Sequence, residues 1–363
     1  MSVLLTIILI YYFIIFLYLN YSYYVLKKYY RHIKYKEKET GKEIDIQEKF
    51  APLVPLDNLN YFSFVFIGIL VFPIRVNIGF IIYYSFILNV KILKLIYKNH
   101  QTDQNQRKKI EAATYFWFSI LLFVNNITVE KKTDIKYKDI YKKYLGEDYD
   151  FSQKDFSVYI SNHFGALENS AYIREYGVSL LIMIENLKAP AIGPAYDELG
   201  SFYVKREDAE SRKKALEALI KRQNDFYNKK SYVRTLVYPE GTTTNGKYIT
   251  AFKRGVFLSL LPVKPLMTLY YDGYPCSTNR FFYFTRTTAK FSVKIKIAEF
   301  PVIKPTDYMF EKYKDLGKEK WEIYAKVVNK MYSEIGGFKQ CDMGYRVRSL
   351  YYQIAEDGFY IDK

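Results

Sequence analysis

Three histidines occur among the 363 residues, His32, His100 and His163, so chemistry that needs an imidazole has few places to happen. His163 lies in Ser161-Asn162-His163-Phe164-Gly165-Ala166-Leu167-Glu168, directly after a strand-like apolar run. Glu168 stands five residues on, and a helix beginning near Gly165 would turn its carboxylate back toward the ring. A carboxylate on one ring nitrogen fixes the tautomer and makes the other nitrogen a good general base. Such a base can take the proton of a hydroxyl that attacks a thioester. By itself the pair decides little, because a histidine near an acid is more often structural.

Three further segments carry chemistry-bearing residues. Gly200-Ser-Phe-Tyr-Val-Lys205-Arg206 is a strand-like run that ends in two cations, and arginine suits bidentate phosphate recognition. The bland alternative is a strand ending in solvated charges. In Tyr238-Pro239-Glu240-Gly241-Thr242-Thr243-Thr244-Asn245-Gly246 a strand stops abruptly at proline. Its amides and threonine hydroxyls can hold a phosphate or polarise a carbonyl oxygen, where the alternative is a hairpin turn. Leu261-Pro262-Val263-Lys264-Pro265-Leu266 either shapes an acyl pocket or is a plain entry into a strand.

The elements that must position these residues fall into two kinds. Residues 2–23 are apolar and uncharged, long enough to span a bilayer as a helix. No basic start or small-residue cleavage site is present, so an uncleaved anchor is expected rather than a signal peptide. Lys27, Lys28, Arg31, Lys34, Lys36 and Lys38 follow it and place that flank in the cytoplasm. Residues 61–90 are apolar but interrupted by Pro73 and Arg75, which predicts a re-entrant or interfacial helix pair, with one kinked span as the alternative. Residues 113–128 form a third, short apolar segment with basic flanks. From about residue 151 the pattern is α/β: strands at 157–161, 234–238, 263–271, 280–287 and 291–297, and helices at 207–229 and 309–336.

A net charge of +16 suits anionic partners, either nucleic acid, anionic lipid or a multiply charged co-substrate. No zinc-finger spacing or RNP-like segment occurs, and the long apolar runs favour the membrane. Two cysteines, Cys276 and Cys341, exclude a disulfide framework or a cysteine-rich zinc site. No metal ligand set is apparent.

In order and spacing the four segments together resemble the glycerophospholipid acyltransferase superfamily (PlsC/AGPAT-like). Its hallmarks are Asn-His-x4-Asp, a Gly…Arg motif, Phe-Pro-Glu-Gly-Thr and a Val-Pro-Val-x-Pro-like motif. The similarity is strongest to the lysophosphatidylcholine and lysophosphatidylethanolamine acyltransferase branch. VFPIRV at 71–76, VKREDAESRKK at 204–214 and YPEGTTTNGKYITAFKRGVFL at 238–258 carry that closeness. The resemblance implies a mixed central β-sheet flanked by helices, preceded by an N-terminal transmembrane helix and membrane-embedded or re-entrant helices. It implies an anchor and basic segment over 1–60, membrane-associated helices over 61–130 and a catalytic domain over 131–363.

The implied reaction moves an acyl chain from acyl-CoA, a co-substrate rather than a bound cofactor, to the free hydroxyl of a lysophospholipid. His163 would be the base and Glu168 would orient it. Arg206, with Gly200 in the same motif, would bind the acceptor's phosphate, and Asn162 would be a further substrate-binding residue. Glu240, Gly241 and Thr242 would position the acceptor, and Pro265 would support the acyl-CoA site. The implied setting is an endoplasmic-reticulum-like membrane, with the catalytic domain and Cys276 on the cytoplasmic face, and no nucleic-acid partner is implied. Two departures bear on activity: Glu168 stands where the family has Asp, and Tyr238 where it has Phe. No EF-hand loop is present. The alternatives are acylation of 1-acylglycerol 3-phosphate or glycerol 3-phosphate and, in another class, a catalytically weak lipid-binding scaffold.

Overall fold

A computed structural model describes residues 3–30, 34–36, 42–45, 50–55, 59–165, 167–184, 192–271, 280–344 and 347–351. Arg31, Lys38 and Cys276, on which the expected topology partly rests, lie outside these residues.

The amino-terminal third is dominated by long apolar helices. Helix α1 is Val3–Lys27, and a short antiparallel pair, β1 (Lys34–Lys36) and β2 (Glu43–Asp45), follows it. A π-helical turn, Phe62–Ile67, runs directly into α2, Gly68–Ile96. Two helices, Val3–Lys27 and Phe62–Ile96, are long and apolar enough to cross a bilayer. Tyr23 packs on Tyr61 with ring centroids 4.9 Å apart, and Phe16 on Phe66 at 6.4 Å. Tyr18 meets Phe72 at 5.8 Å. Tyr23, near the end of α1, thus meets Tyr61 at the start of the second helix, whereas Tyr11, nearer the beginning of α1, accepts from Asn77 further along at 3.3 Å, which makes the two an antiparallel hairpin.

The expected break at Pro73 does not occur, because the helix runs through it. Proline costs one hydrogen bond and crowds the preceding turn. Tertiary contacts offset that cost. Arg75, almost fully buried, reaches out of α2 to the backbone between α8 (Arg280–Ala289) and the strand after it. Its guanidinium donates to the carbonyls of Thr288 at 3.1 Å, Lys290, and Phe291 at 2.6 Å. These are orphan acceptors at a helix C-terminus, where a cation is favoured. A charge that would be expensive at bilayer depth is thus spent on backbone oxygens.

Segment 280–287 is a helix and not the expected strand. Its run RFFYFTRTTA suits either state by composition. Packing decides: a Cβ at Gly68 would lie 3.1 Å from the Cβ of Ala289 and 3.3 Å from Leu19, so Gly68 lets this helix nest against the hairpin.

The third apolar segment belongs to α3, Gln104–Val124, capped by the Asp103 carboxylate on the amides of Asn105 and Gln106. One face of α3 (Ile110, Phe118, Leu121, Leu122) packs with Ile82, Phe86 and Val90 of α2 into the core. The remaining elements are β3 (Ile127–Lys132), α4 (Lys138–Leu145), β4 (Val158–Ile160), α5 (Leu167–Tyr176), β5 (Ser179–Met183), α6 (Ile192–Glu198) and β6 (Phe202–Val204). They continue with α7 (Ala209–Tyr227), β7 (Thr235–Val237), β8 (Tyr248–Thr250), β9 (Val263–Tyr271), β10 (Val293–Glu299), α9 (Asp307–Lys312), α10 (Lys320–Gly336) and β11 (Lys339–Cys341). The helix expected over 309–336 is split into α9 and α10 by a turn at Lys314–Leu316. The aromatic stripe of α10 is core: Tyr324, Val328 and Met331 are fully buried.

The protein is α/β, built on a mixed seven-stranded sheet in the order β3-β10-β9-β4-β7-β5-β6, flanked by helices. β9, β4, β7, β5 and β6 run parallel, whereas β10 is antiparallel to β9 and parallel to β3. The parallel strands carry their carboxyl ends to one edge, where ligands of open α/β sheets bind.

Arg75→Leu is expected to leave the α8 carbonyls unpaired and to destabilise the protein by about 1–3 kcal/mol. Thermal unfolding in detergent checks this, and an unchanged midpoint would show that the tether contributes nothing.

Candidate active site

The carboxyl end of β4 delivers Ser161, Asn162 and His163, and the start of α5 delivers Glu168. His163 Nδ1 donates to Glu168 Oε1 at 2.5 Å. The extra methylene of Glu is accommodated because α5 begins only at Leu167, so Glu168 points back from the first turn. Its carboxylate also accepts the Phe164 amide at 3.0 and 3.2 Å. The side chain is fully buried. Nε2 of His163 carries no hydrogen bond among the described residues.

Tyr238 stacks flat on the imidazole, with centroids 3.9 Å apart and planes 15° apart. Its hydroxyl donates to Asn169 Oδ1 at 2.5 Å. The tyrosine that stands where the family has phenylalanine is thus anchored to α5, and it fixes one face of the ring.

Glu240 is committed to backbone amides. It is buried, and its carboxylate accepts the His163 amide at 2.9 Å through Oε1 and the Thr250 amide at 2.9 Å through Oε2. The Thr244 amide donates to the His163 carbonyl at 3.0 Å. Both backbone polar groups of His163 are therefore held by the 238–250 segment. Gly246 lets that segment cross Phe164: it has φ +85°, and a Cβ there would meet the Phe164 ring at 2.6 Å.

Asn162 is likewise committed to the scaffold. Its side-chain amide donates to Thr268 O at 2.9 Å and accepts from Thr268 N at 2.8 Å, which extends the β4–β9 pairing. Pro265 is buried in β9 opposite Ile160. Thr242 is fully buried, and its hydroxyl has no partner among the described residues.

A cavity of about 690 Å³ opens beside this cluster. Arg206, Arg212, Lys253 and Arg254 line it, with Glu207, Glu240 and Gly241 and the apolar Val204, Leu216 and Val256. Gly200 is not there. It lies at the other end of β6 from Arg206, and its carbonyl accepts from Arg222 at 2.8 Å. The two residues share a sequence motif but are separated by the length of the strand.

Burial holds the His163 pKa well below the ordinary imidazole value, and the guanidiniums of Arg348 and Arg206 push it further down. The ring is therefore neutral at physiological pH, the state a base requires. Burial raises Glu168, opposed by the Phe164 and Gly165 amides. Burial likewise raises Glu240, to about 8. Reading the sequence missed Arg348, whose guanidinium donates to Thr243 Oγ1 at 3.0 Å. No local signal marks it: it lies 185 residues after His163, in a segment that resembles no motif. Arg212 and Lys253 were within reach, because both sit inside the extended second and third motifs.

Residues 148–267 match the family model described as Acyltransferase. The chain is 32% identical over 134 residues to the lysophospholipid acyltransferase LPCAT4 of Xenopus tropicalis, covering 35% of this chain and 25% of that protein. It is 31% identical over 113 residues to the lysophospholipid acyltransferase LPEAT2 of Arabidopsis thaliana, covering 31% and 20%. It is 34% identical over 92 residues to human lysophosphatidylcholine acyltransferase 2, covering 25% and 16%. These alignments thus span a quarter or less of each relative's length. Superposition on the crystal structure of the 1-acyl-sn-glycerophosphate (LPA) acyltransferase PlsC from Thermotoga maritima gives a TM-score of 0.40 at 12% identity, over 72% of this chain and 98% of that one.

Because the Glu240 carboxyl takes up a proton on folding, its contribution to stability is complete below its ordinary value of 4.5 and is lost as pH rises through about 8. Glu240→Gln is expected to flatten that decline, and to cost about 1–3 kcal/mol because an amide cannot accept at both positions. Denaturant melts of both proteins from about pH 5 to about pH 8 check the slope.

Proposed function

We propose that this chain, a member of the glycerophospholipid acyltransferase superfamily, transfers a fatty acyl group from acyl-CoA to the free hydroxyl of a lysophospholipid at a membrane. The observation that carries the reading is the His163–Glu168 pair, its second ring nitrogen unengaged, beside a cavity with four cations. The names of the matched relatives support a lysophospholipid acceptor.

The acceptor's phosphate is held at Arg206, with Arg212, Lys253 and Arg254 within the same cavity. Its hydroxyl gives its proton to Nε2 of His163 while its oxygen attacks the thioester carbonyl carbon. The imidazolium that forms is stabilised by Glu168 through Nδ1–H. The tetrahedral intermediate collapses by breaking the carbon–sulfur bond, and the proton on Nε2 passes to the leaving thiolate. One ester forms, one thioester breaks and no acyl-enzyme is needed. Glu240 and Thr244 hold the His163 backbone and Asn162 ties its neighbour to β9, while Glu240 also borders the cavity. Membrane helices α1 and α2 keep the cavity at the lipid surface where both substrates reside. The setting we infer is the endoplasmic reticulum, with this domain facing the cytoplasm.

Purified protein incubated with labelled acyl-CoA and a lysolipid panel tests the reading. Lysophosphatidylcholine or lysophosphatidylethanolamine is expected to be the best acceptor, ahead of lysophosphatidic acid and glycerol 3-phosphate. His163→Ala should lower transfer by about 10²–10⁴-fold, and full activity of that variant would overturn the mechanism. Glu168→Asp shortens the reach to His163 and is expected to lower the rate. A large gain from a near-inactive wild type would instead support the lipid-binding scaffold.

Arg348→Gln removes a cation that disfavours the imidazolium, so the His163 pKa rises. The acid limb of the pH–rate profile should move to higher pH, and Arg348→Lys should restore most of its position. An unmoved limb in both variants would remove Arg348 from the site's electrostatics.

A further inference from the structure

A second cavity, of about 440 Å³, lies away from His163, where the end of α2, the start of α3, α7 and the loop before β7 converge. Its cations are Lys94, Arg107, Lys221, Arg222 and Lys230; its carboxylates are Glu198 and Asp225. Both carboxylates are already taken by lysines. Glu198 accepts from Lys94 at 2.7 Å, and Asp225 from Lys221 at 2.6 Å. Arg107 is buried and bonds Glu111 at 3.1 Å and the Gly177 carbonyl at 2.9 Å.

Arg222 is different. Among the described residues it donates only to neutral oxygens, Ser179 Oγ at 2.9 Å, Gly200 O at 2.8 Å and Thr235 Oγ1 at 3.3 Å. Its guanidinium lies 3.8 Å over the Phe202 ring, and no carboxylate pairs with it among the described residues. Burial and the neighbouring Arg107 push it down to about 10. A largely buried guanidinium with no carboxylate of its own, beside a second guanidinium, is costly unless an anion joins it.

We propose that this cavity binds a phosphate monoester. Lys94, Lys221 and Arg107 are paired with Glu198, Asp225 and Glu111, which leaves Arg222 and Lys230 without a carboxylate among the described residues to match a dianion, and guanidinium forks suit phosphate oxygens. The volume exceeds what a bare phosphate fills and admits an attached glycerol. The position favours a lipid as its source. Lys94 lies in the last turn of α2, whose Ile92, Leu95 and Ile96 are exposed and apolar. A headgroup at Lys94, Arg107 and Arg222 can keep its chains against that stripe. The cavity is separate from the acceptor site, yet it shares elements with it. Strand β6 runs from Gly200 here to Arg206 there, and α7 lines both, with Arg222 at this end and Arg212 at the other.

The full chain in detergent is the material for the test, with short-chain phosphatidic acid, short-chain phosphatidylcholine and inorganic phosphate as probes. Thermal midpoints are expected to rise by about 2–4 °C with phosphatidic acid and not with phosphatidylcholine. Arg222→Gln should abolish the rise. Arg222 also supports the fold, so the exposed pair Lys221→Gln/Lys230→Gln is the second variant and should weaken phosphatidic acid affinity at least about tenfold. Arg206→Gln, in the other cavity, should keep the rise. An equal rise with inorganic phosphate assigns the site to soluble phosphate, whereas a rise with phosphatidic acid alone assigns it to a headgroup. No rise with either, or a rise that both the Arg222 and the lysine variants retain, overturns the proposal.

Discussion

The Glu240 carboxylate is the constraint on which the rest of the site depends. It is buried, accepts one amide from the end of β4 and another from β8, and so ties two segments that are far apart in sequence. A buried carboxylate without such donors would be strongly unfavourable. With them it becomes the element that sets where His163 stands. Thr244 completes the tie from the other side through the His163 carbonyl, and Asn162 continues the β4–β9 ladder two residues beyond the strand. The imidazole is therefore placed by its backbone before its side chain makes any contact.

Only then do the side-chain interactions matter. Glu168 holds Nδ1, Tyr238 covers one face of the ring, and the remaining edge is left for a ligand. Burial and two guanidiniums keep the ring neutral. Of the two, Arg206 also lines the cavity, so one guanidinium acts on the ring and on the cavity together.

The membrane-proximal part depends on a comparable arrangement. A buried arginine in an apolar helix would ordinarily be a defect. Arg75 instead satisfies carbonyls at the end of α8, next to the start of β10. The apolar hairpin is thereby joined to the sheet at β10 by hydrogen bonds as well as by packing. The lower half of α2 shares its core with α3, so the hairpin and the α/β domain are built on common elements.

Much was legible in the sequence alone. The α/β class, the apolar helices and the chemistry-bearing segments follow from local properties: hydrophobic period, chain length and the clustering of polar groups around glycine and proline. His163, Glu168 and Arg206 could be singled out because each is local to its motif. What the tertiary structure decided were the relations that local patterns do not encode. It committed Glu240 to amides 77 residues earlier and 10 residues later, and Asn162 to Thr268, 106 residues later. It sent Gly200 and Arg206 to opposite ends of β6. It made 280–289 a helix, because Gly68 and Arg75 receive one there. It brought Arg348 to a histidine 185 residues earlier. Residue type and spacing determine which side chains can do chemistry; packing and backbone hydrogen bonding between distant segments decide which of them face the cavity.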